Sequence, residues 1–202
     1  MAKVILVLID GLRYDIACKH MSYMASLTEK GLAARFMVKA EMPSLSKPLF
    51  ETLLTGVPPY ISGVTSNEFA GMSSQESLFH LTKRHGLVKA AAAYYWVSEL
   101  YNAYPFDPPL HREQENEEMP IQFGRFYFED SYPDSHLFVD GEILRKKYKP
   151  HFLLIHPMDV DYFSHLYGGS SKEYAAKTSD TDVLLSIWES LRFRFTIIHY
   201  NY

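Results

Sequence analysis

The sequence predicts an α/β protein, a mainly parallel sheet sandwiched by helices. Three observations lead there. Residues 4–9 are apolar at every position, the pattern of a strand covered on both faces. Residues 152–155 repeat that pattern, and residues 87–96 do so apart from Lys89. Segments with helical spacing fill the intervals between these runs.

Taken in order, the first strand stops at Asp10-Gly11, and residues 14–30 carry Ile16, Tyr23, Met24 and Leu27 at helical spacing, with Gly31 as the cap. Residues 33–40 read as a short extended piece and Pro43-Ser44-Leu45-Ser46 as a loop. Residues 48–54 resume helical spacing until Thr55-Gly56-Val57-Pro58-Pro59 breaks it. A helix over 77–84 ends at Gly86, and the strand over 87–96 follows. The stretch near 104–134 opens with four prolines up to Pro120 and an acidic patch over 113–118, and reads as an irregular excursion. A helix over 135–148 closes on Arg145, Lys146 and Lys147, which suits a helix C-terminus. Pro150 stops it, and the strand over 152–155 comes next. A helix over 170–191 and a strand over 195–198 complete a single domain.

Composition narrows the function classes. The 202 residues carry 20 Lys+Arg against 24 Asp+Glu, a net charge of −4 that argues against nucleic-acid binding by bulk charge. Hydrophobic residues at 47% and charged residues at 22% exclude a disordered tail, a coiled coil and a fibre. One cysteine, Cys18, excludes a disulfide framework and a thiolate zinc cluster, and it reads as a small core residue. The apolar start is too short for a signal peptide and no run reaches the length of a membrane span, so a cytoplasmic location is expected.

Ligands of open α/β sheets bind outside the carboxyl ends of the strands. Asp10 sits there, either as a metal ligand or as a cap of the next helix. Ser46 opens a helix, either as a nucleophile beside an anion or as an N-cap. Asp161 and His165 stand at i and i+4, sharing one helical face as donors suited to Zn²⁺, or else marking a helix start with a surface histidine. Asp159 is a competing ligand. His156 reads equally as a packed or a functional histidine. Tyr94-Tyr95-Trp96 reads as core packing at a strand end.

In sequence order these signals resemble a known family. The opening into Asp10-Gly11-Leu12-Arg13 resembles the start of the type I phosphodiesterase/nucleotide pyrophosphatase family, of the alkaline phosphatase superfamily. The run from Met42-Pro43-Ser44-Leu45-Ser46-Lys47-Pro48 to Leu54-Thr55-Gly56 is similar to its nucleophile segment. Asp161-Tyr162-Phe163-Ser164-His165-Leu166-Tyr167-Gly168 resembles its Asp-x-x-x-His-x-x-Gly metal segment.

The resemblance implies an alkaline phosphatase-like fold and a metal-dependent hydrolase of small phosphorylated substrates; the lack of a membrane-length apolar run leads one to expect no membrane partner. Ser46 would be the nucleophile. Asp10 and Ser46 would hold one divalent ion, and Asp161 and His165 a second. Zinc is expected, with manganese or magnesium as alternatives. The oxygens of Asp10 and Asp161 should then approach within about 10 Å.

Two departures stand out. Leu49 occupies the place, three residues after Ser46, where the resemblance leads one to expect an asparagine on phosphate. The family's late Asp-His pair and further histidine have no counterpart after residues 195–198, where only His199-Tyr200-Asn201-Tyr202 follow. The chain therefore reads as a C-terminally truncated or frame-shifted member, whose exposed sheet edge makes a homo-oligomer an expectation. Rival readings are a sulfatase or phosphomutase of the same superfamily, and a non-catalytic binding domain.

Overall fold

The computed structural model describes residues 3–189 and 195–198, with the backbone alone at 189 and 195–198. The sheet has six strands: β1 Val4–Leu8, β2 Lys89–Tyr94, β3 Glu113–Glu115, β4 Phe123–Tyr127, β5 Phe152–Ile155 and β6 Phe195–Ile198. Their order is β3-β4-β2-β5-β1-β6. All neighbours are parallel except β3 and β4. Strand β5 lies between β1 and β2, with Ile5 opposite Leu153 and Ala90 opposite the same residue.

The period-two alternation of the strands divides the core in two. Ile5, Val7 and Ile9 join Ala90, Ala92, Leu153 and Ile155 on one face. Leu6 and Leu8 join Ala91, Ala93, Phe152 and Leu154 on the other. This is why the central strands are apolar apart from Lys89 at the start of β2. On the first face lie α1 Tyr14–His20, α2 Ser22–Glu29, α8 Asp134–Tyr148 and α10 Lys172–Glu189. On the second lie α3 Ser46–Thr55, α5 Leu78–Arg84 and α6 Tyr95–Tyr101. Two short helices, α4 Pro59–Ser62 and α7 Pro108–His111, and α9 Asp159–Tyr167 complete the set among the described residues. The alanines of β2 let the helices approach closely. On α8, a Cβ at Gly141 would meet Ile155 Cδ1 of β5 at 2.8 Å.

Several sequence expectations need correction. The helix expected over 14–30 is two, because Met21 leaves the helical region at φ −101° and ψ 77°. The break frees backbone N–H groups, and the Asp182 carboxylate of α10 accepts two of them, from Tyr23 at 2.7 Å and Met24 at 3.2 Å. The strand expected over 87–96 ends at Tyr94, and Tyr95 and Trp96 begin α6. Residues 33–40 form only an isolated bridge at Lys39.

The excursion near 104–134 holds α7, β3 and β4 rather than irregular chain. Strand β4 was hidden because Gly124 and Arg125 interrupt its apolar run. Arg125 is offset by Asp140 of α8 at 2.8 Å. Cys18 is half-buried rather than in the core. The helix end expected at 190–191 and His199 lie outside the described residues. No helix among the described residues is long and apolar enough to cross a membrane.

Asp182 is buried, and burial pushes its carboxyl up to about 6. Asp182→Ala should destabilise the protein by about 1–2 kcal/mol in urea unfolding, the worth of a lost cap. The folded carboxyl titrates above its ordinary value, so its contribution is fully present below pH ~4 and is lost as pH rises through ~6. Asp182→Asn keeps an acceptor without the charge. Its stability relative to wild type should therefore increase between pH 4 and 7.

Candidate active site

Strands β1, β2 and β5 run parallel, so their carboxyl ends gather at one edge of the sheet. Asp10 follows β1 there. Its backbone N–H donates to the Pro157 carbonyl at 3.0 Å, which ties the end of β1 to the loop after β5. Asp10 Oδ1 accepts the Gly11 N–H at 2.9 Å. Asp10 does not cap α1, whose N-cap position belongs to Arg13.

Gly11 turns the chain at φ +63°, a conformation that favours glycine. A Cβ at Gly11 would lie 2.5 Å from Asp161 Oδ1 and 2.6 Å from Asp161 Cα. The missing side chain is what lets α9 rest against this turn. Tyr174 of α10 fastens the turn, donating its hydroxyl to the Gly11 carbonyl at 2.7 Å and accepting the Arg13 N–H at 3.0 Å.

Ser46 is the first residue of α3. Extended Leu45 takes the N-cap place, so the capping role considered for Ser46 is not the one it has. Ser46 Oγ donates to Asp10 Oδ1 at 3.2 Å. Its neighbour Lys47 is buried and anchors the helix start. Lys47 Nζ donates to Glu99 at 2.9 Å and to the Phe69 carbonyl at 2.8 Å. The Lys47 N–H donates to Asn67 Oδ1 at 3.0 Å, which brings that amide beside Ser46.

Asp161 and His165 share one face of α9, with His165 Nε2 3.4 Å from Asp161 Oδ2. His165 is 78% exposed at its side chain, whereas Asp161 is 20% exposed. Helices α8 and α9 cap each other. Asp134 Oδ1 accepts the N–H groups of Met158 at 3.0 Å and Asp159 at 3.1 Å, and Asp159 Oδ2 accepts the Asp134 N–H at 3.3 Å. Asp159 also pairs with Lys177 at 3.3 Å. That engagement accounts for Asp159, the competing ligand in the sequence.

The structure therefore brings Asp10, Ser46, Asp161 and His165 to one corner. Burial pushes the Asp161 carboxyl up to about 7, the Asp10 charge adds to the rise, and His165 opposes it. Among the described residues, no three His, Cys, Asp or Glu side chains gather as a metal cage. The donors come as two pairs, Asp10 with Ser46 and Asp161 with His165. Carboxylate, hydroxyl and imidazole suit zinc, manganese or magnesium in different degrees. Oxygen and imidazole nitrogen donors of this kind are the chemistry that a divalent ion takes.

Sequence reasoning missed three contributors. Leu49 is a core residue, and the asparagine that meets the start of α3 is Asn67, distant in sequence. Lys47 gave no signal, since a lysine between a serine and a proline reads as solvated. His156 is fully buried near Asp10, which its sequence position left open.

The profile described as Type I phosphodiesterase / nucleotide pyrophosphatase matches residues 4–194. The chain belongs to that family. The human GPI ethanolamine phosphate transferase 2 catalytic subunit is 28% identical over 200 residues, covering 95% of this chain and 19% of that protein. Among solved structures, murine ectonucleotide pyrophosphatase / phosphodiesterase 5 aligns with TM-score 0.71 at 15% identity, over 94% of this chain and 52% of that one. Phosphonoacetate hydrolase from Sinorhizobium meliloti 1021, in complex with phosphonoformate, aligns with TM-score 0.64 at 15% identity, over 95% and 54%. The chain thus spans about half the length of these solved structures and about a fifth of the human relative. At such identities the solved structures establish the fold alone.

For a family member built this way, Gly11→Ala should be costly. The left-handed turn alone disfavours alanine by about 1–2 kcal/mol, and the Cβ would strike the Asp161 backbone. Unfolding free energy should fall by at least ~2 kcal/mol in urea titration. An unchanged midpoint would mean that α9 does not rest on this turn.

Proposed function

We propose that the protein is a metal-dependent phosphoester or phosphodiester hydrolase in which Ser46 is the nucleophile. One observation carries the reading. Ser46 Oγ, at the start of α3, stands 3.2 Å from the Asp10 carboxylate, in the corner that also receives Asp161. Family membership supports the reaction class.

Asp10 and Ser46 would hold one divalent ion, and Asp161 and His165 a second, with zinc the first choice. When bound, such ions supply a lowered hydroxyl pKa at Ser46 and positive charge for the phosphoryl oxygens. The chain's own residues do the rest. Asp10 Oδ1 accepts the Ser46 hydroxyl and holds its oxygen toward the site. The Ser46 proton passes along that hydrogen bond to Asp10 as the oxygen attacks phosphorus in line, forming a P–O bond while the bond to the leaving group breaks and the leaving oxygen takes a proton from water. Asn67 spends its Oδ1 on the Lys47 N–H and keeps its NH₂ group as a donor for a phosphoryl oxygen. The helix start adds its positive end. Water then cleaves the phosphoserine.

A second reading has its own support. The human relative is an ethanolamine phosphate transferase by name, and in that reading an alcohol replaces water as the acceptor in the last step. Both readings need the same Ser46 chemistry.

Hydrolysis of bis(p-nitrophenyl) phosphate with Zn²⁺ or Mn²⁺ tests the proposal. Ser46→Ala should lose at least about 10²-fold in kcat/KM, while Ser44→Ala stays within a few fold. Loss in Ser44→Ala with full activity in Ser46→Ala would move the nucleophile. Faster turnover of an aryl sulfate would favour a sulfatase. Release of nitrophenol that accelerates with added ethanolamine would favour the transferase.

A further inference from the structure

We propose that His156 is a positioning residue for Asp10, fixed as one tautomer so that its Nε2–H holds one carboxylate oxygen while the other faces Ser46. The inference rests on Asp10 belonging to the proposed metal and nucleophile corner. It goes beyond that reading by assigning a role to a buried group that the reaction does not use.

His156 follows β5 and is 0% exposed. The Tyr94 backbone N–H donates to its Nδ1 at 3.4 Å. A backbone N–H can only donate, so Nδ1 is the acceptor and the imidazole hydrogen sits on Nε2. The Tyr127 hydroxyl stands 3.3 Å from the same Nδ1 and donates to the His156 carbonyl at 2.7 Å, which holds the residue from its other side. The Phe50 ring meets the imidazole edge-on with centroids 4.5 Å apart, so the ring orientation is set by packing.

The consequence falls on Nε2. It has no hydrogen-bond partner and is sealed from water. A buried donor left in that state is costly. Asp10 Oδ2 stands 3.7 Å away. A shift of about half an ångström brings the pair into hydrogen-bond range. Asp10 Oδ1 is already shared by the Gly11 N–H at 2.9 Å and Ser46 Oγ at 3.2 Å. The two oxygens are thus divided: Oδ1 serves the nucleophile turn and Oδ2 faces His156. A donor behind a ligating carboxylate fixes its orientation, and loss of such a partner typically costs 10–100-fold in metal affinity. A histidine that only fills space would need its Nδ1 contacts and nothing at Nε2.

Two variants separate these roles. The amide of His156→Gln reaches the Nε2 position, whereas that of His156→Asn reaches only Nδ1. In calorimetric Zn²⁺ titration of the 202-residue chain, His156→Asn should weaken binding about 10–100-fold and His156→Gln should stay within a few fold of wild type. The opposite order would overturn the proposal. Nitrogen-15 NMR of the metal-free chain supplies an arm independent of the ion. The imidazole of His156 should carry its proton on Nε2, and Asp10→Asn should shift that resonance. A proton on Nδ1, or no response to Asp10→Asn, would overturn the proposal even if both variants fail to fold. Loss of the Nε2 proton on adding Zn²⁺ would make His156 a ligand instead. If wild type takes up no Zn²⁺, the metal reading fails, and the tautomer still decides this one.

Discussion

Helix α9 can rest on the Asp10-Gly11 turn only because residue 11 has no side chain, and the whole carboxyl edge of the sheet depends on that approach. A Cβ at residue 11 would come within 2.5 Å of Asp161 Oδ1. The close approach buries the Asp161 carboxyl and sets it beside the charge of Asp10, and burial first, then that charge, pushes it up. Two carboxylates brought together out of water oppose folding. The fold accepts that cost and surrounds the corner with contacts that hold it.

Those contacts come from groups with no evident chemical task. Tyr174 clasps the turn from α10. The mutual capping of α8 and α9 through Asp134 and Asp159 sets the start of the helix that carries Asp161 and His165. Asp134 itself is pushed up to about 7, first by burial and then by the Asp159 charge. On the other side, the buried pair of Lys47 and Glu99 fixes the start of α3. Removing one member of such a pair costs about 3–5 kcal/mol, because the other charge is left stranded. The residues nearest Ser46 are therefore rigid for reasons that lie in the core.

The sequence was legible where one residue type settles the matter locally. The apolar runs of β1 and β5 are readable because a strand covered on both faces has no polar position. Strand ends and helix starts direct attention to Asp10, Ser46, Asp161 and His165, and the fold brings these four to one corner. Strand β4 escaped because Gly124 and Arg125 break its pattern, and its charge is offset only by Asp140 on a helix further along. The break at Met21 escaped for a similar reason, since Asp182 caps the second helix from far along the chain. Asn67, Lys47 and His156 take their meaning from partners that only the folded chain supplies. No spacing rule connects Asn67 to Ser46, or His156 to Asp10.

The central claim is that the corner holding Asp10 and Asp161 is built for a cation. Unfolding free energy of wild type and Asp161→Asn, with and without Zn²⁺, tests it most directly. Without the ion, removing the Asp161 charge should leave the variant at least as stable as wild type. With Zn²⁺ in excess, wild type should gain stability by mass action, about 2.7 kcal/mol at a hundred times the dissociation constant, and the variant should gain little. A variant that is less stable without the ion and responds to Zn²⁺ as wild type does would contradict the account.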